Sequence, residues 1–246
     1  MILGAKNVTV RLGGNPVLRG VSAKLAAGTV TAICGPNGAG KSTLLSALAG
    51  LIELASGEVT IADKPVAAIH PRQRARTIGY LPQSGEVAWD VAVRNLVALG
   101  RMPHGDANAA PVERALGALA LMDLADRPMS RLSGGEKARA LLARVLAGEP
   151  AWILADEPLA ALDLGHQLAI LKHLRTAAKG GAGVVLVLHD LALAMNHADR
   201  VLVLDNGALV ADGEPAAALS ADVIARVWGV KAQWLGVTGA KALVAQ

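Results

Sequence analysis

The sequence predicts an α/β fold in which helices cover both faces of a parallel sheet. Short apolar, β-branched segments alternate with helical segments along the chain, as a parallel sheet requires. One of these apolar segments runs directly into a glycine-rich turn and then a helix. The 246 residues suffice for one domain with a sizeable core, with or without an inserted lobe.

Each element follows from periodicity and from turn residues. Strands are expected at short apolar or alternating segments, namely Lys6–Leu12, Gly28–Cys34, Gly57–Ile61, Arg76–Leu81, Trp152–Ala155, Val184–Leu188 and Val201–Leu204. Helices are expected where apolar residues recur every three or four positions, namely Lys41–Gly50, Val91–Arg101, Pro111–Met122, Glu136–Ala147, Leu164–Ala178 and Leu191–Ala198. A turn is predicted at Gly13–Pro16, and the chain beyond Glu214 is predicted to be mostly helical with a weakly structured end.

The composition predicts a soluble cytoplasmic protein. Apolar residues make up 53% of the chain and the mean hydropathy is +0.42. The longest apolar stretches, Ala115–Met122 and Gly183–Leu188, are nevertheless far shorter than the roughly 20 residues that span a bilayer. The N-terminal sequence lacks the basic and apolar regions of a signal peptide. The single cysteine, Cys34, fits a reducing compartment and is expected to be a small buried residue.

The charge pattern argues against nucleic acid as the main partner. The 24 basic and 20 acidic residues give a net charge of +4 without a basic cluster. The chain has no Phe, one Tyr and four Trp, so it has few aromatic side chains on which bases could stack.

A glycine-rich motif follows the strand that ends at Cys34. It has the G-x-x-x-x-G-K-[ST] pattern of a phosphate-binding loop, with the residues Gly35, Pro36, Asn37, Gly38, Ala39, Gly40, Lys41 and Ser42. Glycines allow backbone N–H groups to turn toward an anion, and the helix N-terminus adds a positive dipole. We expect Lys41 to contact the β- and γ-phosphates of a nucleoside triphosphate, Ser42 to bind Mg²⁺, and Thr43 to contact the α-phosphate.

Two further motifs carry chemistry. Asp156 and Glu157 end an apolar strand, where we expect Asp156 to hold a metal and Glu157 to deprotonate an attacking water. An acidic loop without chemistry is the alternative, which the phosphate loop disfavours. The segment Leu132–Glu136 places a serine hydroxyl and two glycines at a helix start, which indicates either a second anion site or an ordinary helix cap.

These motifs, in this order, resemble those of the ATP-binding subunits of ABC transporters over essentially the whole chain. The resemblance identifies Gly35–Thr43 as the phosphate loop, Gln83 as the Q-loop glutamine, and Ser133, Gly134, Gly135 and Glu136 as the core of the signature segment. It identifies Asp156 as a metal ligand, Glu157 as the catalytic carboxylate, and Ala161–Asp163 and His189 as the D-loop and the switch histidine.

The resemblance also implies the architecture of a P-loop NTPase. It implies a RecA-like parallel-sheet core, an N-terminal antiparallel β subdomain and an inserted α-helical subdomain. One ABC ATPase domain would span residues 1–246, with the core and β subdomain in 1–83 and 149–246 and the helical subdomain in 84–148.

The mechanism implied by the resemblance uses two copies of the chain. They would pair head to tail around two ATP molecules, with the phosphate loop of one copy facing Ser133 and Gly135 of the other. His189 would contact the γ-phosphate, Gln83 would reach Mg²⁺ or the water, and Asp163 would cross the dimer. ATP would close the dimer, and hydrolysis with product release would open it.

Two segments narrow the class within that family. Ala161–Gln167 and the tail from Gly213 to Val230 resemble the ATPases of siderophore, haem and vitamin B12 importers. We therefore expect a bacterial importer subunit at the cytoplasmic side of the inner membrane. Its permease would be a separate integral-membrane chain docking around Ser84–Arg94, and a periplasmic or surface solute-binding protein would be an indirect partner. A soluble ABC ATPase of the iron–sulfur cluster assembly type is the alternative.

The sequence departs from the family pattern in a few places. Arg11 and Leu12 stand where an aromatic ring commonly stacks on adenine, and Glu136 stands where glutamine is commoner. Trp89 could lie either in the permease groove or in the core of the helical subdomain. Trp228 and Trp234 are expected to be packing residues of the tail.

Overall fold

The computed structural model describes residues 1–83, 90–106, 108–160 and 162–246. Its strands are β1 (Ile2–Leu12), β2 (Asn15–Ala26), β3 (Val30–Cys34), β4 (Ser56–Ile61), β5 (Lys64–Pro65), β6 (Ile78–Leu81), β7 (Trp152–Asp156), β8 (Gly183–Val187), β9 (Arg200–Asp205), β10 (Ala208–Gly213), β11 (Ala232–Val237) and β12 (Ala240–Ala245). Its α-helices are α1 (Lys41–Leu48), α2 (Pro71–Thr77), α3 (Val93–Ala98), α4 (Ala110–Ala118), α5 (Gly134–Ala147), α6 (Leu164–Lys179), α7 (Leu191–His197), α8 (Pro215–Ala218) and α9 (Ala221–Trp228).

The central sheet is the parallel sheet that the sequence predicts. Its six strands lie in the order β10-β9-β3-β8-β7-β6, and only β10 pairs antiparallel to its neighbour. Every residue of β3, β7 and β8 is buried, which explains why these strands have continuous rather than alternating apolar sequences. Side chains of β3 alternate between two cores, since Ala32 and Cys34 contribute to one and Ile33 contributes to the other.

A second, antiparallel sheet has the strand order β2-β1-β4-β5 and confirms the predicted N-terminal β subdomain. The sequence prediction is incomplete here, because it contains no strand between Gly13 and Gly28. The turn is confined to Gly13 and Gly14, and β2 begins at Asn15. Buried residues alternate along the second half of β2, where one face packs on the core and the other faces solvent.

The described residues between Asp90 and Gly148 are mainly helical, as predicted. Helices α3 and α4 both pack against α5, through buried residues that include Leu96, Leu116 and Leu142. The predicted helix Val91–Arg101 is shorter in the structure, because α3 ends at Ala98 and a tighter 3-10 turn follows at Leu99–Arg101. The predicted helix Pro111–Met122 ends at Ala118, because Ala120 has a left-handed φ of +51°, and a separate 3-10 turn follows at Met122–Leu124.

The tail differs from its prediction. It begins with α8 and α9 as expected, but it ends in the β11–β12 hairpin rather than in a weakly structured stretch. Tertiary contacts hold the hairpin in place. Trp234 Nε1 donates a hydrogen bond of 2.7 Å to Leu219 O, and the Asn196 side chain bonds both backbone polar groups of Lys241 at 2.8 Å. Among the described residues, no helix has the length and apolar character needed to cross a membrane.

Candidate functional site

The glycine-rich motif forms a loop between the end of β3 and the start of α1. Gly35 has φ of +149°, and a Cβ at this position would lie 2.2 Å from Leu204 O. Gly40 has φ of +95° and precedes the first residue of α1, Lys41. Only glycine combines these backbone angles with such close approaches, so both glycines are required by the shape of the loop.

Lys41 is buried inside this loop. Its Nζ donates hydrogen bonds of 3.0 Å to Gly35 O and 2.9 Å to Pro36 O. Burial lowers the pKa of the Lys41 ammonium, and the nearby Glu157 carboxylate acts in the opposite direction. A positive charge is thus held at the N-terminus of α1, where backbone N–H groups also favour an anion.

The other loop residues surround this charge. Ala39 is buried and donates its N–H to Pro36 O at 3.2 Å, which closes the turn. Asn37 and Gly38 are exposed at the tip of the loop, and Thr43 is half-buried in the first turn of α1. The structure therefore places every residue of the predicted phosphate loop around one helix N-terminus.

Ser42 and Asp156 meet beside the phosphate loop. Ser42 Oγ donates a hydrogen bond of 3.0 Å to Asp156 Oδ1, although the two residues are 114 positions apart. Asp156 is the last residue of β7 and is buried. Burial raises the pKa of its carboxyl group, against the lowering effect of the Ser42 hydrogen bond. The pair offers a hydroxyl and a carboxylate oxygen, the ligand type that hard divalent cations prefer.

Glu157 lies between two predicted site residues from distant parts of the chain. Its Oε2 accepts a hydrogen bond of 2.8 Å from Gln83 Nε2, and its Oε1 lies 2.5 Å from His189 Nε2. The Glu157 backbone has φ of +48°, a left-handed conformation that non-glycine residues rarely adopt. Backbone strain of this kind concentrates at functional sites. Gln83 and His189, the glutamine and histidine that the sequence predicts for the site, therefore converge on one carboxylate next to the end of β7.

The signature segment forms a separate helix N-terminus. Ser133 caps α5, its Oγ accepts a 3.3 Å hydrogen bond from Glu136 N, and the Glu136 carboxylate accepts a 2.7 Å bond from Ser133 N. This reciprocal arrangement is a capping box, and the N–H groups of Gly134 and Gly135 lie outside it. Within the described residues, no side-chain hydrogen bond joins this segment to the phosphate loop.

Asp163 caps α6 and is bonded within its own chain. Its Oδ1 accepts a 2.9 Å hydrogen bond from His166 N, and its Oδ2 lies 2.8 Å from His166 Nδ1. Gln167, which follows His166, donates hydrogen bonds from Nε2 to Leu159 O at 3.3 Å and to Leu162 O at 3.2 Å. These contacts were not predicted from the sequence. The available signal was an aspartate three residues before a histidine at a predicted helix start.

Other sequence predictions are resolved by burial. Cys34 is buried, and burial raises the pKa of its thiol to about 12, so it is an apolar core residue rather than a nucleophile. Arg11 and Leu12 are exposed at the end of β1. Ser84, Trp89 and Ala161, which the sequence predictions include, lie outside the described residues.

The sequence that supplies the buried lysine, the hydroxyl–carboxylate pair and the flanked glutamate matches a known family. Residues 18–160 match the ABC transporter family, and the chain therefore belongs to that family. Within it, the chain is an ATP-binding subunit that hydrolyses ATP.

The relatives and solved structures agree with this assignment. The hemin import ATP-binding protein HmuV of Rhodococcus jostii is 43% identical over 232 residues, which cover 92% of this chain and 80% of the relative. HmuV of Rhizobium meliloti is 39% identical over 241 residues, covering 94% and 92%. A metal-chelate type ABC transporter solved in an inward-facing conformation superposes with a TM-score of 0.84 at 26% identity, covering 99% of this chain and 97% of that one. The predicted family and the predicted fold class are confirmed.

Proposed function

We propose that this chain energises the import of hemin by hydrolysing ATP, as a dimer bound to a separate membrane permease. The observation that supports hydrolysis is the Glu157 carboxylate, which Gln83 and His189 hold beside Lys41 and Asp156. The import of hemin is supported by relatives of about 40% identity that are named for it. Hemin lies within the group of iron chelates, haem and cobalamin that the sequence predicts.

In the proposed mechanism, the phosphate loop binds ATP through backbone N–H groups and Lys41. The Lys41 ammonium would exchange the carbonyl oxygens of Gly35 and Pro36 for phosphate oxygens when ATP enters the loop. Glu157 would accept a proton from the water that attacks the γ-phosphorus. His189 would donate to the γ-phosphate, so that its contact with Glu157 forms and breaks with the nucleotide state.

The residues present fit a Mg²⁺ ion. Ser42 and Asp156 already share a 3.0 Å hydrogen bond, and both would offer oxygen ligands. The Gln83 amide nitrogen bonds Glu157, and its amide oxygen is the group that remains for a cation. When bound, Mg²⁺ neutralises phosphate charge, and the burial that raises the pKa of Asp156 would be offset by its charge.

The second helix N-terminus supports the proposal of a dimer. One chain contains a complete phosphate loop, and it also presents Gly134 and Gly135 at the exposed start of α5. In a head-to-tail pair, Ser133 to Glu136 of one copy would contact the ATP held by the other copy. Asp163 would lie at the same interface.

The proposal divides the chain into two parts. The catalytic core with the β subdomain comprises residues 1–83 and 149–246, and the helical subdomain comprises residues 84–148.

A membrane permease would be the main partner, and the chain would lie at the cytoplasmic side of the inner membrane. The permease would dock near the start of the helical subdomain, toward Arg94, and a solute-binding protein would be an indirect partner. The iron–sulfur cluster assembly alternative is not favoured, because the relatives quoted above are named for import.

The hydrolytic role is tested by Glu157→Gln. This change keeps the size of the side chain and removes the base, so we expect ATP turnover to fall by about 10²–10⁴-fold. ATP binding, measured with a fluorescent analogue, should be retained. The exposed Glu214→Gln is the control and should behave like the unmodified chain. Retained turnover in Glu157→Gln would refute the role of Glu157.

The transport role is tested by affinity purification of the tagged chain from detergent-solubilised membranes of its host. We expect a stoichiometric polytopic membrane protein, and hemin should stimulate ATP turnover of the reconstituted complex. Stimulation by cobalamin but not by hemin would correct the solute. Recovery of soluble partners alone would refute the importer and support the cluster assembly alternative.

A further inference from the structure

The side chain of His166 lies between two segments that the proposed function places at the dimer interface. One is the loop that ends at Asp163, and the other is the first turn of α5, which contains Gly135. His166 is the third residue of α6. Helical side chains point toward the helix N-terminus, so the ring turns back over this loop.

Toward the loop, His166 holds both oxygens of one carboxylate. Its backbone N–H donates to Asp163 Oδ1, and its Nδ1 lies 2.8 Å from Asp163 Oδ2. Capping of α6 needs only the backbone bond, which any residue except proline would supply at this position. The second bond belongs to the imidazole, and it fixes the orientation of the exposed Asp163 side chain.

Toward α5, the same ring faces Gly135. A methyl group built on Gly135 would lie 3.4 Å from three atoms of the imidazole, Nδ1, Cγ and Cε1. The ring therefore faces this first turn, and the space between them is just large enough for a methyl group in ordinary van der Waals contact. The side chain of His166 is 39% exposed, so it is not merely part of a buried core.

We infer that His166 is a positioning residue that joins the Asp163 loop and the N-terminus of α5 into one rigid unit. The inference rests on the proposed head-to-tail dimer, and it gives a role to a residue that the proposed mechanism does not use. Both segments would cross to the partner copy, so their relative position determines whether they engage the partner's site together. Gln167 supports the same unit, because its amide holds Leu159 and Leu162 of the loop.

The test compares His166→Ala with His166→Asn in the full chain, and His173→Asn is the control on the same helix. Asparagine places an amide N–H close to the position of Nδ1, so it retains the bond to Asp163 that alanine loses. We expect His166→Ala to lower ATP turnover about tenfold, the loss typical for a hydrogen bond to a charged group. His166→Asn should stay within about threefold of the unmodified chain, since it restores that bond.

Two readouts separate positioning from folding. Binding of a fluorescent ATP analogue to dilute, monomeric chain should be unchanged in His166→Ala. The turnover defect should shrink as protein concentration rises, because a weakened dimer is restored by mass action. In the Glu157→Gln background, ATP-dependent dimerisation by light scattering should need higher protein concentration when His166 is alanine.

Each contrary result has a distinct meaning. Equal turnover and equal dimerisation of His166→Ala and the unmodified chain would overturn the role of His166 while leaving the dimer intact. Equal defects in His166→Ala and His166→Asn would also overturn it, because the bond to Asp163 would then be irrelevant. If Glu157→Gln with His166 present does not dimerise in ATP, the proposed dimer itself fails.

Discussion

The N-termini of α1 and α5 contain similar residues, but they differ in whether side chains cap their backbone N–H groups. In α1, Gly40 precedes the helix, and within the described residues no side chain caps it and no acidic residue occupies its first turn. In α5, Ser133 and Glu136 close a reciprocal capping box. One helix start is open toward a ligand, whereas the other has already satisfied part of its own polar groups.

This difference indicates that the N-termini of α1 and α5 have different functions. The open end has a buried cation, Lys41, and a rigid glycine loop, so a single chain suffices to bind an anion there. The closed end is stable without a ligand and offers mainly the N–H groups of Gly134 and Gly135. We expect the α1 end to determine nucleotide binding and the α5 end to determine what happens after a second copy arrives.

The largest effect should come from Lys41→Ala. This change removes the charge that the loop holds against phosphate, and we expect nucleotide affinity of the single chain to fall by about 10²-fold or more. Titration with a fluorescent ATP analogue measures it. Lys172→Ala, which removes an exposed cation from α6, is the control and should bind normally. Normal nucleotide binding by Lys41→Ala would show that the N-terminus of α1 does not determine nucleotide binding.

An intermediate effect should come from Ser133→Ala. Nucleotide binding by dilute chain should be unchanged, while turnover at high protein concentration should fall about tenfold, the effect of one lost hydrogen bond to a charged group. Loss of the cap should also lower the melting temperature by about 2–4 °C, as about 1 kcal/mol does in a chain of this size.

Ser220→Ala provides the matched control for Ser133→Ala. Ser220 caps α9 by accepting a hydrogen bond from Val223 N, so its loss should cost stability without affecting turnover. If both variants lose turnover equally, the α5 end has no role beyond stability. If Ser133→Ala loses affinity in dilute chain, the second helix end acts within one copy.

Local sequence patterns were sufficient to predict the phosphate loop at α1 and much of the fold around it. The phosphate loop follows from one continuous motif, and the central strands follow from glycine-bounded apolar runs. The contacts at Glu157 are different in kind, because Gln83 and His189 lie 74 and 32 positions away and meet it only through sheet order. The tail hairpin was missed for a similar reason, since distant contacts at Leu219 and Asn196 hold it in place.

The smallest effect should come from Glu136→Gln, which tests whether the charge of the capping box matters. Glutamine keeps an acceptor for Ser133 N, so turnover should remain within about twofold, the range of one weakened neutral hydrogen bond. The backbone N–H of Ser133, followed by its hydroxyl, lowers the pKa of the Glu136 carboxyl below its ordinary 4.5. A lowered folded-state pKa stabilises the fold above the unfolded-state value, and this stabilisation disappears as pH falls through the folded-state pKa.

The stability difference between Glu136→Gln and the unmodified chain should therefore be constant from pH 7 down to about 5 and vanish below the folded-state pKa. Thermal melts across this range measure it, with Glu214→Gln as the exposed control. If instead the unmodified chain gained stability relative to Glu136→Gln as the pH fell, the Glu136 carboxylate would destabilise the helix start. The α5 N-terminus would then not be satisfied by its own capping box, and the contrast with α1 would fail.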